Sequence, residues 1–315
     1  MLQAMETAIL TTPQQLEDVG REWLELWRET ADATPFQSPM WLLPWWRHFG
    51  SNDLNVIATR DGAHLRALAP LYVIREDDES LGLLLGTGVS DYLDVLGAPP
   101  DITKIDCQMW DLQQLRSDSP LLKMPLPDGW SDNVEEQDRC VVLSIDNPNL
   151  FSTHFRKKLR YYQRSLDCTF EDATAENLDT FLDALFELHA ARWQQRGMPG
   201  MLADDVIQRF HREVARAMLD AGALRMHAMR SGERIVAVFY GFAHHATVSY
   251  YLSGYDPALD KQSPGTLIVA HAIEKAVGAG ATTFDFLRGA EDYKYAWGAK
   301  DRINYRRQVF RSAAD

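Results

Sequence analysis

The sequence lacks the features that mark secreted and membrane-spanning proteins. Its three cysteines, Cys107, Cys140 and Cys168, stand far apart and show no metal-binding spacing. No apolar run approaches the ~20 residues that a helix needs to cross a bilayer. Residues 1–12 lack the basic segment and apolar core of a secretory signal. We therefore expect a cytoplasmic protein with no membrane span, no disulfide framework and no bound metal.

Positive charge is scarce in the first half of the chain. Residues 1–150 contain 25 Asp and Glu against 10 Lys and Arg, whereas residues 151–315 contain 20 against 22. This contrast and the length of 315 residues predict two lobes, which we place at 1–146 and 147–315. The boundary falls in the turn-forming residues 146–149. The charge distribution predicts that an amine is drawn to the first lobe and an anion to the second.

The first half contains an aromatic segment and a carboxylate-rich segment. An amphipathic helix over 14–30 precedes a short helix with Trp41, Trp45 and Trp46, a pattern more typical of packing than of ligand binding. Strands are predicted over 54–59, 65–74 and 81–86. After the third strand, Ser90, Asp91, Tyr92 and Asp94 place two carboxylates beside flexible glycines. Either they meet a substrate, or they form an Asx turn and an edge-strand carboxylate.

The second half reads as a mixed α/β domain. Its predicted elements, in order, are helices over 152–166, 176–195 and 204–219, strands over 224–230, 235–243 and 247–255, a helix over 263–279, a strand over 282–287, a short helix over 291–297 and a strand over 305–311. The three consecutive strands form an antiparallel meander. The following helix begins directly after the last strand of that meander.

Two features of this half suit an anionic ligand. Ser263, Pro264, Gly265 and Thr266 open the helix over 263–279, and an open helix start offers unpaired N–H groups to an anion. The alternative is a well-capped helix and nothing more. The helix over 152–166 carries five bases and no acid: Arg156, Lys157, Lys158, Arg160 and Arg164. It is either a phosphate-binding surface or a solvated face.

These segments together resemble a GNAT acyltransferase domain. The finer resemblance is to the CelD-like or BioF-like acetyltransferase branch, which is related to the Fem peptidyltransferases. The residues that carry it are 250–257 (YYLSGYDP), 263–265 (SPG), 285–294 (DFLRGAEDYK) and Trp297-Gly298. Residues 90–94 (SDYLD) resemble the N-terminal half of the same family. The resemblance implies tandem GNAT-like lobes, an α/β (α+β) fold whose mixed, mainly antiparallel sheets are flanked by helices.

The resemblance also implies an activity and its parts. An acyl group passes from a carrier thioester, acyl-CoA or acetyl-CoA, to an amine of a small molecule or a cell-envelope or polysaccharide precursor. Gln262, Ser263, Pro264, Gly265 and Thr266, with Lys157 and Arg160, are the candidate donor-binding residues. Ser90, Asp91, Tyr92, Asp94, Arg288 and Tyr293 are the candidates for acceptor binding, and Asp285, Glu291, Lys294 and Tyr251 for catalysis.

Sequence patterns indicate where the candidate catalytic residues lie and which partners they need. Alternation along the strand over 247–255 puts Tyr251 and Tyr255 on one side, facing the substrate cleft. Asp285 is a lone charge among apolar neighbours, so it requires a partner such as Arg288 or Lys294. A buried ion pair and a catalytic carboxylate both explain it. Glu291 and Lys294 share one helix face.

One departure from the family pattern leaves the donor open. GNAT enzymes hold the CoA pyrophosphate with an Arg/Gln-x-x-Gly-x-Gly/Ala loop, whereas residues 262–267 read QSPGTL, with leucine last. Pro264 also removes one amide. The alternatives are a Fem-like transferase that uses aminoacyl-tRNA, for which tRNA is a partner, and a non-catalytic accessory protein on a GNAT scaffold.

Overall fold

The computed structural model describes residues 5–146, 151–195, 197–198 and 200–312. The predicted turn residues 147–149 lie outside this part of the chain. The chain divides into two compact units. Unit 1 comprises Met1–Cys140 and Arg302–Asp315, and unit 2 comprises Val141–Asp301. None of the described helices has the length and hydrophobicity needed to cross a lipid bilayer.

The helices and strands follow one another throughout the chain. The helices are α1 (Pro13–Asp18), α2 (Gly20–Glu29), α3 (Pro39–Phe49), α4 (Pro120–Lys123), α5 (Thr153–Ser165), α6 (Leu178–Gln194), α7 (Asp205–Asp220), α8 (Pro264–Gly278) and α9 (Asp292–Tyr295). The strands are β1 (Glu6–Leu10), β2 (Asp53–Leu54), β3 (Val56–Asp61), β4 (His64–Ala69), β5 (Leu71–Glu76), β6 (Glu79–Leu84), β7 (Met109–Arg116), β8 (Trp130–Ser144), β9 (Thr169–Asp172), β10 (Leu224–Ser231), β11 (Arg234–His244), β12 (Thr247–Tyr255), β13 (Thr283–Arg288) and β14 (Lys300–Arg311).

Unit 1 contains strands from two sheets. The small sheet has the order β1-β3-β4 and is antiparallel. In the larger sheet, β2, β5, β6, β7 and β14 are successive neighbours. The strand predicted over 65–74 is in fact two, because Pro70 has no N–H to donate to a ladder. Its halves, β4 and β5, belong to different sheets.

The tryptophans of unit 1 pack inside it. Trp41 is fully buried and its indole Nε1 donates to Ser90 Oγ at 2.9 Å. Trp45 packs on Tyr72 with ring centroids 5.4 Å apart. Buried aromatic side chains contribute large apolar areas to a core. The packing role predicted for this segment is therefore the observed one.

The last strand, β14, has its hydrogen-bonding partners in unit 1. It pairs antiparallel with β7 from Asn304 opposite Arg116 to Phe310 opposite Met109. Asn304 is fully buried, and its Nδ2 donates to the Asp91 carbonyl at 2.9 Å and to Gln114 Oε1 at 2.8 Å. The sequence predicts this strand in the second lobe. Strand pairing between residues as far apart in the chain as Asn304 and Arg116 leaves no local signal in the sequence.

Unit 2 has the predicted mixed architecture. Strands β9, β10, β11 and β12 are antiparallel neighbours, and β13 lies beside β12 in parallel orientation. Helix α8 connects β12 to β13, as a parallel connection requires. Its apolar side chains Leu267, Ile268 and Ile273 join Phe239 and Phe284 in the core. The strand β9 was not predicted.

Candidate active site

An extra residue in β12 decides which side chains face the substrate region of unit 2. Gly241 of β11 lies opposite Tyr250, and Tyr240 lies opposite Leu252, so Tyr251 is a β-bulge. Gly241 faces this bulge at close range, since a Cβ there would stand 2.3 Å from the Ser249 carbonyl oxygen. The bulge breaks the alternation of side chains. Tyr250 therefore joins Ser253 and Tyr255 on one face.

Tyr251 consequently points away from the site for which it was predicted. Its ring lies 5.4 Å from the ring of His211 and 5.9 Å from that of Phe242. It does not line the cavity described below, whereas Tyr250 does. The prediction of Tyr251 as a cavity residue is wrong because it assumed unbroken alternation along β12.

Strands β12 and β13 diverge beyond a short paired segment. They pair in parallel from Thr247 opposite Thr283 to Ser249 opposite Asp285. Within the described residues, β12 then runs on to Tyr255 and β13 to Arg288 without further pairing to each other. The two strands therefore separate after Ser249 and Asp285.

A cavity of about 320 Å³ lies beside the second half of β12. It is lined by side chains from β12, by the start of α8 and by α5, α6 and α9. The lining residues are Phe155, Lys158, Arg192, Tyr250, Ser253, Tyr255, Asp260, Ser263, Gly265, Thr266, Val269, Tyr293, Ala296 and Trp297. Its volume is within the usual range for small-molecule sites.

Aromatic rings form much of the cavity wall and hold one hydroxyl in place. Trp297 packs edge-on against Phe155 with centroids 4.7 Å apart. The Tyr250 hydroxyl hydrogen-bonds Ser253 Oγ and is also bonded to Tyr293. Burial raises the pKa of Tyr250, against the opposing effect of these hydrogen bonds. The phenol is therefore neutral at physiological pH and carries a proton to donate.

Two cations and one acid belong to the lining. Arg192, near the end of α6, lies over the Tyr255 ring at 5.2 Å. Its Nε is buried and has no hydrogen-bond partner among the described residues. Lys158 of α5 lies 5.7 Å from the Tyr162 ring centroid. Because Asp260 is the single acid of the lining, these groups favour an anionic ligand.

The start of α8 is a weaker anion site than predicted. Ser263 has left-handed backbone angles (φ 51°, ψ 55°), and its side chain makes no capping hydrogen bond. The amides of Thr266 and Leu267 donate to the Ser263 carbonyl, at 3.0 and 3.2 Å. Since Pro264 has no N–H, Gly265 has the one first-turn amide without an internal acceptor in the described part of the chain. The side-chain cap predicted for Ser263 is wrong.

Gly265 serves a steric requirement at this helix start. A Cβ at this position would lie 2.9 Å from Cδ1 of Tyr255, closer than such contacts allow. The glycine thus lets the Tyr255 ring pack against the first turn. Of the five predicted loop residues, Ser263, Gly265 and Thr266 line the cavity, whereas Gln262 and Pro264 do not.

The loop after β13 is organised by Lys294. This residue is 3% exposed, and its Nζ donates to the carbonyls of Arg288 and Gly289 at 2.5 and 3.0 Å and lies 3.0 Å from Glu291 Oε2. The ammonium is therefore fully occupied in holding the loop. Its acidic partner is Glu291, whose carboxylate is 56% exposed.

Asp285 supports the same loop from the end of the paired segment. It is 2% exposed, and its Oδ1 accepts a hydrogen bond from the Leu287 amide at 2.8 Å. Leu287 has a positive φ of 59°, a conformation that needs such local support. The observed geometry gives Asp285 a backbone-supporting contact, which neither of the sequence-based explanations included.

The remaining donor-side and acceptor-side candidates divide between the two units. Lys157 and Arg160 are exposed on α5, but the cavity-lining base of this helix is Lys158. Tyr293 lines the cavity. Arg288, the last residue of β13, is half-buried. The cavity residues that the sequence analysis missed include Arg192, Tyr250 and Tyr255. The parity of Tyr255 was noted, but nothing local marked Arg192.

The carboxylate-rich segment lies in unit 1. Ser90, Asp91 and Tyr92 are buried, and Ser90 and Asp91 are fixed by the contacts with Trp41 and Asn304 given above. Asp94 lines a small cavity of about 100 Å³ together with Arg116. Its Oδ1 accepts hydrogen bonds from the Val95 amide at 2.8 Å and from Ser119 at 3.0 Å. Most of this segment is thus core.

The ionisation of Asp94 differs from that of an ordinary carboxyl group. Burial raises its pKa to about 7, although its hydrogen bonds and the charge of Arg116 oppose this shift. Below that pH the group is a neutral carboxylic acid. It then exerts no net attraction on an ammonium ion, which weakens its predicted role in drawing an amine acceptor.

The architecture of unit 2 is that of a known class of domains. A meander, a crossover helix starting at a cavity and a parallel strand that diverges from the meander are arranged as in the GNAT superfamily. Residues 151–295 match the family model described as an acetyltransferase (GNAT) domain. The matched segment lies within unit 2 and is similar to that family over somewhat less than half of the chain.

Solved structures extend the likeness in fold to the whole chain. The crystal structure of FemX aligns with a TM-score of 0.68 at 12% identity, covering 96% of each chain. A conserved protein of unknown function from Bacteroides thetaiotaomicron VPI-5482 gives 0.61 at 11% identity, covering 97% of this chain and all of its own. L-PGS from Bacillus licheniformis gives 0.57 at 14%, covering 97% of this chain and 93% of the other. A search of curated proteins found no match.

Replacing Lys294 tests its part in holding the loop. Lys294→Met keeps the length of the side chain but leaves buried carbonyls without their donor. We expect the free energy of unfolding to fall by about 1.5 to 3 kcal/mol, measured by urea denaturation. Lys300→Met, at an exposed position, is the control. An equal loss in both variants would contradict this account of Lys294.

The ionisation of Asp94 gives a pH-dependent prediction. The unfolded chain releases this proton near pH 4 and the folded chain near pH 7, so its stabilising contribution is complete below pH 4 and lost as the pH rises through 7. Asp94→Asn keeps the accepting oxygen and never ionises. The variant should match the unmodified protein at pH 4 and exceed its stability at pH 8 by on the order of 2 to 4 kcal/mol.

Denaturation in urea at several pH values measures this difference. Asp128→Asn, an exposed acid of the same unit, is the control and should show no such growth with pH. A constant difference between Asp94→Asn and the unmodified protein at all pH values would count against the raised pKa.

Proposed function

We propose that the protein is an acyltransferase that moves an acyl group from a carrier thioester, acyl-CoA in the first instance, to an amine. The observation that carries this proposal is the cavity beside β12, which is lined by the neutral side chain of Tyr250. The GNAT match of residues 151–295 supports the reaction type. The acceptor is an amine of a small molecule or of a cell-envelope or polysaccharide precursor.

The donor's phosphates are assigned to the cationic part of the lining. Lys158 and the buried Nε of Arg192 supply charge, and the Gly265 amide supplies a hydrogen-bond donor at a helix start. The pantetheine arm then runs along the face of β12 that carries Tyr250, Ser253 and Tyr255. This arrangement needs only one helix amide, which suits the QSPGTL sequence.

The transfer itself is a direct attack of the acceptor on the donor. The amine nitrogen forms a bond to the thioester carbonyl carbon, and the carbon–sulfur bond breaks. A backbone amide at the strand edge stabilises the developing oxyanion. Tyr250 gives its proton to the departing sulfur, and the amine proton leaves through water to Glu291. Glu291 is the exposed carboxylate whose charge raises the pKa of Tyr250.

The other predicted catalytic residues receive supporting roles in this proposal. Asp285 and Lys294 fix the loop that presents Glu291 and Tyr293. Tyr293 and Arg288 remain the proposed acceptor contacts, because they flank that loop at the start of α9 and the end of β13. For Ser90, Asp91, Tyr92 and Asp94, an acceptor role stays a prediction from the sequence.

A Fem-like, aminoacyl-tRNA-dependent transfer is the second candidate. Two observations favour it: the alignment with FemX over 96% of the chain, and the exposed bases of α5, which include Lys157 and Arg160. Backbone phosphates of an RNA would contact such a surface broadly, and binding would weaken with salt.

Variants of two neighbouring lysines on α5 distinguish acyl-CoA from aminoacyl-tRNA as the donor. If acyl-CoA is the donor, acetyl-CoA or a longer acyl-CoA should raise Tm through binding to the folded state. Lys158→Ala and Arg192→Ala should weaken that binding about tenfold, the loss of one charge-assisted hydrogen bond. Lys157→Ala, one residue outside the cavity lining, should leave it unchanged. Calorimetric titration supplies the dissociation constants.

The same variants give a different pattern with an aminoacyl-tRNA. Binding to RNA should weaken in Lys157→Ala and Lys158→Ala alike, and the slope of log affinity against log salt should become shallower in both. That pattern, without any effect of acyl-CoA, would replace the acyl-CoA donor by tRNA. Absence of binding to every donor would refute a transferase and favour an accessory protein on this scaffold.

A further inference from the structure

Three side chains of unit 2 that the proposed reaction does not use come together outside the cavity lining. Asp172 ends β9, His227 lies in the middle of β10, and His271 is two turns into α8. One carboxylate oxygen and one nitrogen from each imidazole lie within 4.8 Å of one another. The residues are 55 and 44 positions apart in sequence order, so no spacing motif marks them.

The contacts within this cluster leave one nitrogen without a partner. His227 Nδ1 lies 2.8 Å from Asp172 Oδ1. The His271 ring stands nearly perpendicular to that of His227, with centroids 5.2 Å apart, and stacks on Phe170 at 4.1 Å. His271 Nε2 is buried and has no hydrogen-bond partner among the described residues. A buried polar atom in this condition costs free energy unless something binds it.

The donor atoms of the cluster suit ligation. Imidazole nitrogens and carboxylate oxygens are among the groups through which proteins bind metal ions.

We propose that Asp172, His227 and His271 bind a divalent transition-metal ion of the zinc class. Imidazole nitrogen combined with carboxylate oxygen suits Zn²⁺ and Co²⁺, whereas Mg²⁺ and Ca²⁺ take oxygen ligands. Atoms bound 2.0 to 2.1 Å from a tetrahedral ion lie about 3.3 Å apart. The Asp172 Oδ1–His227 Nδ1 distance of 2.8 Å must therefore increase slightly on binding, and the more distant donor atoms must move closer together.

Lys275 sets a limit on the strength of this site. Its Nζ lies 2.6 Å from Asp172 Oδ2, so it orients the carboxylate and leaves Oδ1 for the ion. Its charge, with that of Arg225 near His227, also repels a cation. The bound ion would tie helix α8 to the sheet strands β9 and β10, so that it stabilises unit 2 without taking part in the transfer.

Metal titration of the full chain, freed of metal with a chelator, tests the site. Co²⁺ should give the visible absorption of a low-symmetry site and saturate at one ion per chain. Zn²⁺ should compete with Co²⁺ and raise Tm, and Mg²⁺ at the same concentration should do neither. His271→Phe keeps the stack on Phe170 but removes the nitrogen, and it should weaken Co²⁺ binding at least about tenfold.

The histidine pair at the β11–β12 turn supplies the matched control. His245→Ala removes an exposed histidine beside His244 and should leave Co²⁺ affinity unchanged. Unaltered Co²⁺ binding in His271→Phe, loss of binding in His245→Ala, or no saturable binding to the unmodified protein would each overturn the proposal. Circular dichroism before titration establishes that both variants are folded, and His271→Asn replaces His271→Phe if the latter is not.

Discussion

The arrangement of unit 2 depends on a single extra residue in β12. With Tyr251 bulged out, Tyr250 shares a face with Ser253 and Tyr255, and the tyrosine hydroxyl enters the cavity. The bulge requires close approach of the neighbouring strand, which Gly241 permits because it has no Cβ. It also bends the strand locally, as such bulges do, just where β12 and β13 cease to pair. One backbone irregularity thus accounts for the tyrosine that lines the cavity.

The rest of the site is held around that opening by buried polar contacts. Lys294 donates hydrogen bonds to carbonyls of the loop after β13. Asp285 accepts a hydrogen bond from the amide of Leu287, which has left-handed backbone angles. On the other side, Gly265 lets the first turn of α8 meet the ring of Tyr255. Such contacts position side chains without reacting themselves, which is how preorganised sites limit the reorganisation needed during reaction.

The sequence predicted the fold better than it predicted the site. The meander, α8 and β13 were located within a few residues because their apolar periodicity is strong and their ends carry turn residues. Pro70 divided one predicted strand, and the pairing of β14 with β7 was invisible, since it joins residues far apart in the chain. Both differences arise because one sequence carries little information on which distant strands pair.

The site was only partly predictable, for a related reason. Gly265 and Thr266 were found through local helix-start chemistry, and both line the cavity. Tyr251 was chosen in place of Tyr250 because a bulge has no signature in one sequence. The buried positions of Ser90 and Tyr92, and the approach of Arg192 to Tyr255, follow from tertiary packing. Residue type predicted which chemistry was present, but packing decided which residues face the cavity.

The central claim is that Tyr250, turned inward by the bulge, meets the donor's sulfur in the cavity beside β12. A crystal structure of the protein with CoA tests this claim without knowledge of the acceptor. The account predicts the CoA thiol within about 3.5 Å of the Tyr250 hydroxyl, with the pantetheine arm along β12. CoA bound elsewhere, or a thiol lying on the Tyr251 side of the strand, would contradict it.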